Sequence, residues 1–239
     1  MLSSNRKDVV VAIHQPNFFP WLGFFNKIFR SDIFIIMDNV QFPRTGGTWV
    51  NRVKIIINGK ADWITVPVDR NFHGTKLINE MKICNAVFWR PKILKTIYHS
   101  YKHATYFNQV FPVLEELINN PTDSLVEFNL KSIKYLCSCL NIDTSKIVLG
   151  ATLNCEGKAT DLLISMVKAV NGTAYLCGAG ASGYQEDEKF FNAGIKLIYQ
   201  NFKHPVYPQF NSNEFISGLS IIDVLMNCGF EGTKHIISI

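Results

Sequence analysis

No stretch of this 239-residue chain is apolar over anything near the roughly 20 residues a helix needs to cross a bilayer. The apolar run that follows MLSSNRKD is broken too soon to serve as a secretory signal, so membrane insertion is not expected and the expected address is the cytoplasm. Low-complexity segments are missing too, and with 47% hydrophobic residues the chain has the length and composition of one large α/β domain or a domain with a small annex. Cysteine is present without a pattern. Cys84, Cys137, Cys139, Cys155, Cys177 and Cys228 are scattered, and the one close pair, C-x-C at Cys137 and Cys139, lacks the spacing of a zinc site or a C-x-x-C redox pair. Free thiols are the expectation, and no metal is assigned. A basic tract is also lacking: the formal charge of +5 is spread along the chain, which argues against a DNA partner and fits anionic ligands such as nucleotides and nucleotide-linked sugars. Charge leaves a tRNA partner open.

What is there is organised around Val9 to Arg30, VVVAIHQPNFFPWLGFFNKIFR. Val9–Ile13 is β-branched and nearly uncut by polar residues, as in a strand of a parallel sheet buried on both faces. Pro16 cannot donate to a ladder and holds Gln15 out of the helical region, so the strand ends at His14–Gln15 and these side chains project past the sheet edge. Ligands of open α/β sheets sit outside that edge. Trp21, Phe24, Phe25, Ile28 and Phe29 then follow at helical spacing, with Lys27 and Arg30 in the last turns, where cations suit the helix dipole. His14 and Gln15 thus occupy a strand-to-helix corner, where satisfying the local backbone is the competing role.

Ile33 to Met37 predicts a second buried strand ending at Asp38, and the βαβ unit so formed, right-handed by rule, brings Asp38 out at the same sheet edge as His14. An Asx turn into Asn39 is the other reading of Asp38. Gln41 to Trp49 is a Pro- and Gly-marked loop carrying Arg44. Val53–Ile57 and Ala61–Val68 flank Asn58–Gly59 and predict a β-hairpin, with Asn51 and Arg52 at its base; two guanidinium groups there, Arg44 and Arg52, suit a phosphate or carboxylate. Leu77 to Ile83 alternates as a short strand. Helical patterns at Phe88–Tyr106, Asn108–Ile118 and Ser124–Leu140 make a helical insert over about residues 86–142.

The α/β rhythm resumes with a strand at Lys146–Leu149, a helix at Ala159–Val170 and a strand at Thr173–Cys177 running into GAGASGY. Gly178 and Gly180 there, with Tyr184, let backbone N–H groups approach a ligand closely, although the loop has neither the Walker lysine nor the dinucleotide fingerprint, and a plain turn competes. A short helix at Tyr184–Phe191 and a strand at Ile195–Tyr199 follow. The Pro-constrained tail FKHPVYPQ can lay His204 and Tyr207 across a cleft or simply wrap the terminus. Ser220 caps a helix over Ile221–Met226, with Asp223 in its first turn, where a carboxylate serves either the helix or a site. The fold class is α/β: a Rossmann-like, mostly parallel sheet with a β-hairpin and a helical insert.

Four segments in order, IHQPNFFPWLGFFNK, the Asn51–Arg52 pair, FKHPVYPQ and LSIIDVLMNCG, resemble the WbqC-like family of bacteria, over about Val9 to Gly229. The resemblance implies a setting in clusters that make O-antigen and other surface polysaccharides, and a reaction, glycine transfer to amino sugars, proposed for members of the family. His14 also resembles the first histidine of the His-x-Gly-His signature of adenylating nucleotidyltransferases; with Pro16 and Asn17 in place of the rest, that signature is incomplete.

The family reaction implies attack by a sugar amine, free or nucleotide-linked, on an activated aminoacyl carbonyl. Activation comes from ATP, a thioester or aminoacyl-tRNA, and the sequence does not choose among them. His14 is the natural base, since imidazole titrates near neutrality, and Asp38 joins it as a catalytic candidate. Gln15 and Asn51 suit sugar hydroxyls or the acyl oxygen, and Arg52 a developing negative charge. No cysteine sits in a pattern that argues for an enzyme-bound thioester. Two other readings stay open: a non-catalytic protein that binds a nucleotide sugar or scaffolds polysaccharide assembly, and a purely architectural HQPNFFPW corner.

Overall fold

The computed structural model describes residues 7–178 and 186–238. Among them the chain forms a five-stranded parallel sheet, a separate antiparallel hairpin and seven α-helices. It divides into two compact units, one made of residues up to His14, Lys27–Met37 and Ser145–Lys203, the other of Gln15–Asn26, Asp38–Thr144 and the chain from His204 on. No helix is long and apolar enough to cross a membrane among the described residues.

The first unit is the sheet. Strands β1 (Val10–His14), β2 (Ile33–Ile36), β5 (Ile147–Leu149), β6 (Ala174–Cys177) and β7 (Lys196–Tyr199) lie in the order β5-β2-β1-β6-β7, all parallel. β1 and β6 are central, which accounts for their unbroken apolar runs. Helices α5 (Ala159–Ala169) and α6 (Asp187–Asn192) add Met166, Val167 and Phe190 to a core with Val11, Ile13, Ile35, Tyr175 and Cys177. Tyr175 stacks on Phe190 at 5.2 Å.

Helix α1 (Leu22–Arg30) departs from the sequence expectation. The spacing of Phe24, Phe25, Ile28 and Phe29 predicts an amphipathic helix, but every residue from Leu22 to Ile28 is buried, while Phe29 is exposed. Lys27 is therefore inside the protein rather than at a solvated helix end.

The second unit holds the hairpin of β3 (Arg52–Ile57) and β4 (Lys60–Thr65). Its turn has positive φ at both Asn58 (52°) and Gly59 (78°), the mirror-image turn that the Asn-Gly pair predicts. Helices α2 (Trp89–Tyr101), α3 (Phe107–Ile118) and α4 (Leu125–Cys139) form the expected helical stretch, with Ser124 Oγ accepting from Glu127 N as N-cap. The strand expected over Leu77–Ile83 is instead a short 3-10 helix at Ile78–Glu80 flanked by isolated bridges. There the Glu80 carboxylate accepts from Leu77 N at 2.6 Å, a local bond that competes with strand pairing.

Helix α7 (Ile221–Ser238) runs well past the expected end at Met226 and kinks at Gly229. Gly229 has φ 67°, and a Cβ there would lie 2.6 Å from the Tyr106 ring. A side chain is thus disfavoured by both conformation and space. Gly229→Ala is expected to lower the unfolding free energy by about 2 kcal/mol, read as a lower urea midpoint; an unchanged midpoint would show that the kink relaxes without cost.

Candidate functional site at the carboxyl edge of the sheet

In the sheet unit, the chain first builds outward from β1 to β2 and later places β6 on the other side of β1. The strand order therefore reverses between β1 and β6, the position at which open α/β sheets bind ligands beyond their strand ends. The register of β1 differs on its two sides. β1 stays paired with β2 as far as His14 opposite Ile36, and Met37 N donates to His14 O at 2.8 Å. Pairing with β6 ends earlier, at Ala12 opposite Leu176. The carbonyl of Ile13, past that last pair, accepts a hydrogen bond from Lys27 Nζ at 3.2 Å.

Lys27 is the functional candidate that sequence reasoning missed. Its side chain leans toward the N-terminus of α1, as helical side chains do, and so reaches back to the strand end. It is 5% exposed, and among the described residues it forms no ion pair and a single hydrogen bond. Burial pushes its ammonium down to about 8, against the opposing influence of the Cys177 thiol. The signal was its place inside the run FFNKI, where a charge interrupts residues that are all buried.

Gly178 follows β6 at the same edge, and no described atom lies within 4 Å of where a Cβ would stand. Gly180 and Tyr184 lie outside the described residues. No group of His, Cys, Asp and Glu among the described residues is placed to hold a metal.

The remaining candidates lie in the second unit. Gln15 is half-buried and opens the loop to Trp21. That loop is fixed from several directions. Asn129 Nδ2 donates to Pro16 O at 2.8 Å and to Val50 O at 2.7 Å, Phe18 N to Trp49 O at 2.9 Å, and Ser220 Oγ to Phe19 O at 2.7 Å. Phe19 has φ 37°, a conformation that a bulky side chain holds only when its surroundings over-determine it. Asn129, absent from the sequence reading, thus ties this loop to the segment before β3.

Asp38 is buried, and its carbonyl accepts from Asn79 N. Asn51 has both ends of its amide engaged with backbone, Nδ2 to Val66 O at 3.0 Å and Oδ1 from Thr48 N at 3.2 Å. Arg52 lies with its guanidinium carbon 4.1 Å from the centre of the Trp63 ring, against Gly47, and its Nε is buried without an acceptor. Trp49 packs on Trp63 at 5.0 Å. Arg44 is exposed, in a loop clipped by the Arg70 guanidinium bonding the carbonyls of Pro43, Arg44 and Gly46.

His204 stacks on Trp21 at 6.2 Å, and burial lowers its pKa against the Pro205 carbonyl. Tyr207 and Asp223 are brought together. Asp223 is fully buried and accepts from Tyr101 Oη and Tyr207 Oη, each at 2.8 Å, and from Gln209 Nε2 at 3.0 Å. Burial pushes the Asp223 carboxyl up while those three donors pull it down; Tyr207 is raised by its own burial and by the Asp223 charge.

Fold and register thus define an α/β protein with a Rossmann-like sheet whose strand order reverses between β1 and β6. The chain belongs to the WbqC-like protein family, whose model matches residues 15–235. It is similar to a Mycobacterium tuberculosis protein named "Uncharacterized protein Rv1507c", with 28% identity over 229 residues, covering 95% of this chain and 96% of that one. No solved structure matches the chain.

Proposed function

We propose that this protein is an aminoacyltransferase, glycyl in the first instance, that acylates the amine of an amino sugar or a nucleotide-linked amino sugar during assembly of a bacterial surface polysaccharide such as O-antigen. The observation that carries the reading is the position of His14: it ends β1 at the strand-order reversal, the place at which open α/β sheets bind ligands. Family membership supports the setting. In the reaction the sugar nitrogen bonds to the acyl carbonyl carbon, the bond from that carbon to the donor's oxygen or sulfur breaks, and the proton shed by the amine passes to the His14 imidazole. Electrostatic help at the same edge comes from Lys27, whose ammonium lies near enough to the strand end to bond Ile13 O.

The test is mass spectrometry of a nucleotide-linked amino sugar incubated with the purified protein and glycine, with and without ATP, and in parallel with glycyl-tRNA. A glycyl adduct is expected in one arm, which names the donor. His14→Gln should cut its rate about 100-fold or more while leaving sugar-nucleotide binding in place. A folded protein that binds the sugar nucleotide and forms no adduct in any arm would overturn the glycyl reading in favour of another acyl group or of a non-catalytic binding protein.

A further inference from the structure

We infer that the ends of β1 and β6 carry a phosphate site, with the Lys27 ammonium as its charge and the backbone at Gly178 as its wall. Three independent observations meet there. Strand order reverses between these two strands, and their pairing stops at Ala12 opposite Leu176 while β1 continues along β2 to His14, so β1 runs past its last pair with β6 at the edge where open α/β sheets bind ligands. A lysine 5% exposed reaches that strand end with one hydrogen bond, to Ile13 O, and no ion pair among the described residues. An ammonium carries three donors, and a buried charge without an opposite charge is costly; an anionic ligand supplies what the protein leaves out. Finally, Gly178 follows β6 with no described atom within 4 Å of where a Cβ would stand, and a residue without a side chain lets an anion come close to its backbone.

Phosphate is the chemistry these features favour over carboxylate. A single ammonium is a compact point charge with rotatable donors, suited to phosphate oxygens, whereas carboxylates are best matched by the planar fork of arginine. On the transferase reading, the phosphate would belong to a nucleotide-linked sugar or to an activated donor. The site shares its place in the fold with that reading but does not depend on its reaction.

The experiment is calorimetric titration of the full chain with inorganic pyrophosphate in a phosphate- and sulfate-free buffer, with acetate as a second titrant. Saturable one-to-one binding of pyrophosphate is expected, at least tenfold weaker in Lys27→Met and only partly weakened in Lys27→Arg. Gly178→Leu, which adds a side chain at the end of β6 and keeps Lys27, should weaken binding about fivefold or more, and it carries the test if Lys27→Met does not fold. No binding of pyrophosphate by the natural chain, acetate binding as tightly as pyrophosphate, or equal pyrophosphate binding by the natural chain and the variant would overturn the inference. Pyrophosphate bound through Lys27 by a chain that transfers no glycyl group would keep this site and remove the transferase reading. A glycyl product formed with no pyrophosphate binding would do the reverse.

Discussion

Replacing Asp223 by alanine is expected to lower the stability of the second unit by roughly 3–5 kcal/mol, the loss typical of removing one partner from a buried charged network. The magnitude follows from what the carboxylate holds. Asp223 has no exposed surface, and its two oxygens accept from Tyr101, Tyr207 and Gln209. Tyr101 Oη in turn accepts from Ile56 N at 3.1 Å in β3. Four parts of the chain, the hairpin, α2, the tail after His204 and α7, therefore converge on one side chain. Truncation would strand the buried hydroxyls of Tyr101 and Tyr207, each costing about 1–3 kcal/mol if left unpaired, while Gln209 Nε2 keeps its bond to Ile216 O. Against a typical total stability of about 5–15 kcal/mol, that is a large share.

Asp223→Asn is the milder change, at roughly 1–2 kcal/mol, because the amide oxygen still accepts two hydrogen bonds and a tyrosine hydroxyl can accept one from the new amide. Urea unfolding monitored by tyrosine and tryptophan fluorescence would rank the two variants. An alanine variant that lost less than about 1 kcal/mol would mean that water or a rearranged tail satisfies the stranded donors. The same network makes Tyr207 a structural hydroxyl in this structure, with burial and the Asp223 charge both opposing its ionisation.

The second large effect is a change in how stability depends on pH when Lys27 is replaced. Folding moves the Lys27 ammonium from 10.5 to about 8, which corresponds to about 3 kcal/mol at roughly 1.4 kcal/mol per pH unit. Below pH 8 the lysine is protonated in folded and unfolded chains alike, and the full burial penalty is present. Between about pH 8 and 10.5 the unfolded chain keeps a proton that the folded chain has given up, so this group makes stability rise with pH. Above that window the penalty is gone. Lys27→Met has no such term. The stability of the variant relative to the natural chain should therefore be roughly 2–3 kcal/mol more favourable at pH 7 than at pH 10, whatever the loss of the bond to Ile13 O costs at both.

Comparing the two chains cancels tyrosines and other groups that titrate in both, leaving Cys177 as the titratable neighbour that influences Lys27. Urea unfolding at the two pH values, in buffer free of phosphate and sulfate, measures the difference. A gap of the same size at pH 7 and pH 10 would show that Lys27 is hydrated or paired in the folded state.

The hairpin and the parallel strands could be read in the sequence because each is set by local chemistry. Asn58–Gly59 supplies two positive-φ residues to a two-residue turn, and Val9–Ile13, Ile33–Met37 and Thr173–Cys177 are uniformly apolar because both faces of such strands are covered. The termination of β1 at His14 was likewise fixed by Pro16, which cannot continue a ladder. The same local logic failed where a tertiary partner intervened. Leu77–Ile83 alternates like a strand, yet the Glu80 carboxylate closes a turn on Leu77. Helix α7 was stopped short at Met226, because nothing in the sequence announces that Tyr106 packs against Gly229 and lets the helix continue past a kink.

The sequence by itself determined the family, the α/β class and the strand end that carries His14, because hydrophobic runs, prolines and turn pairs act over a few residues. Only the tertiary structure decided that Lys27 is buried at the strand-order reversal rather than solvated at a helix end. It alone joined Asp223 to Tyr101 across more than a hundred residues and tied Pro16 to Asn129. The physical reason is the same in each case. Whether a polar side chain is solvated, buried or paired depends on what covers it, and that cover comes from segments distant in the chain.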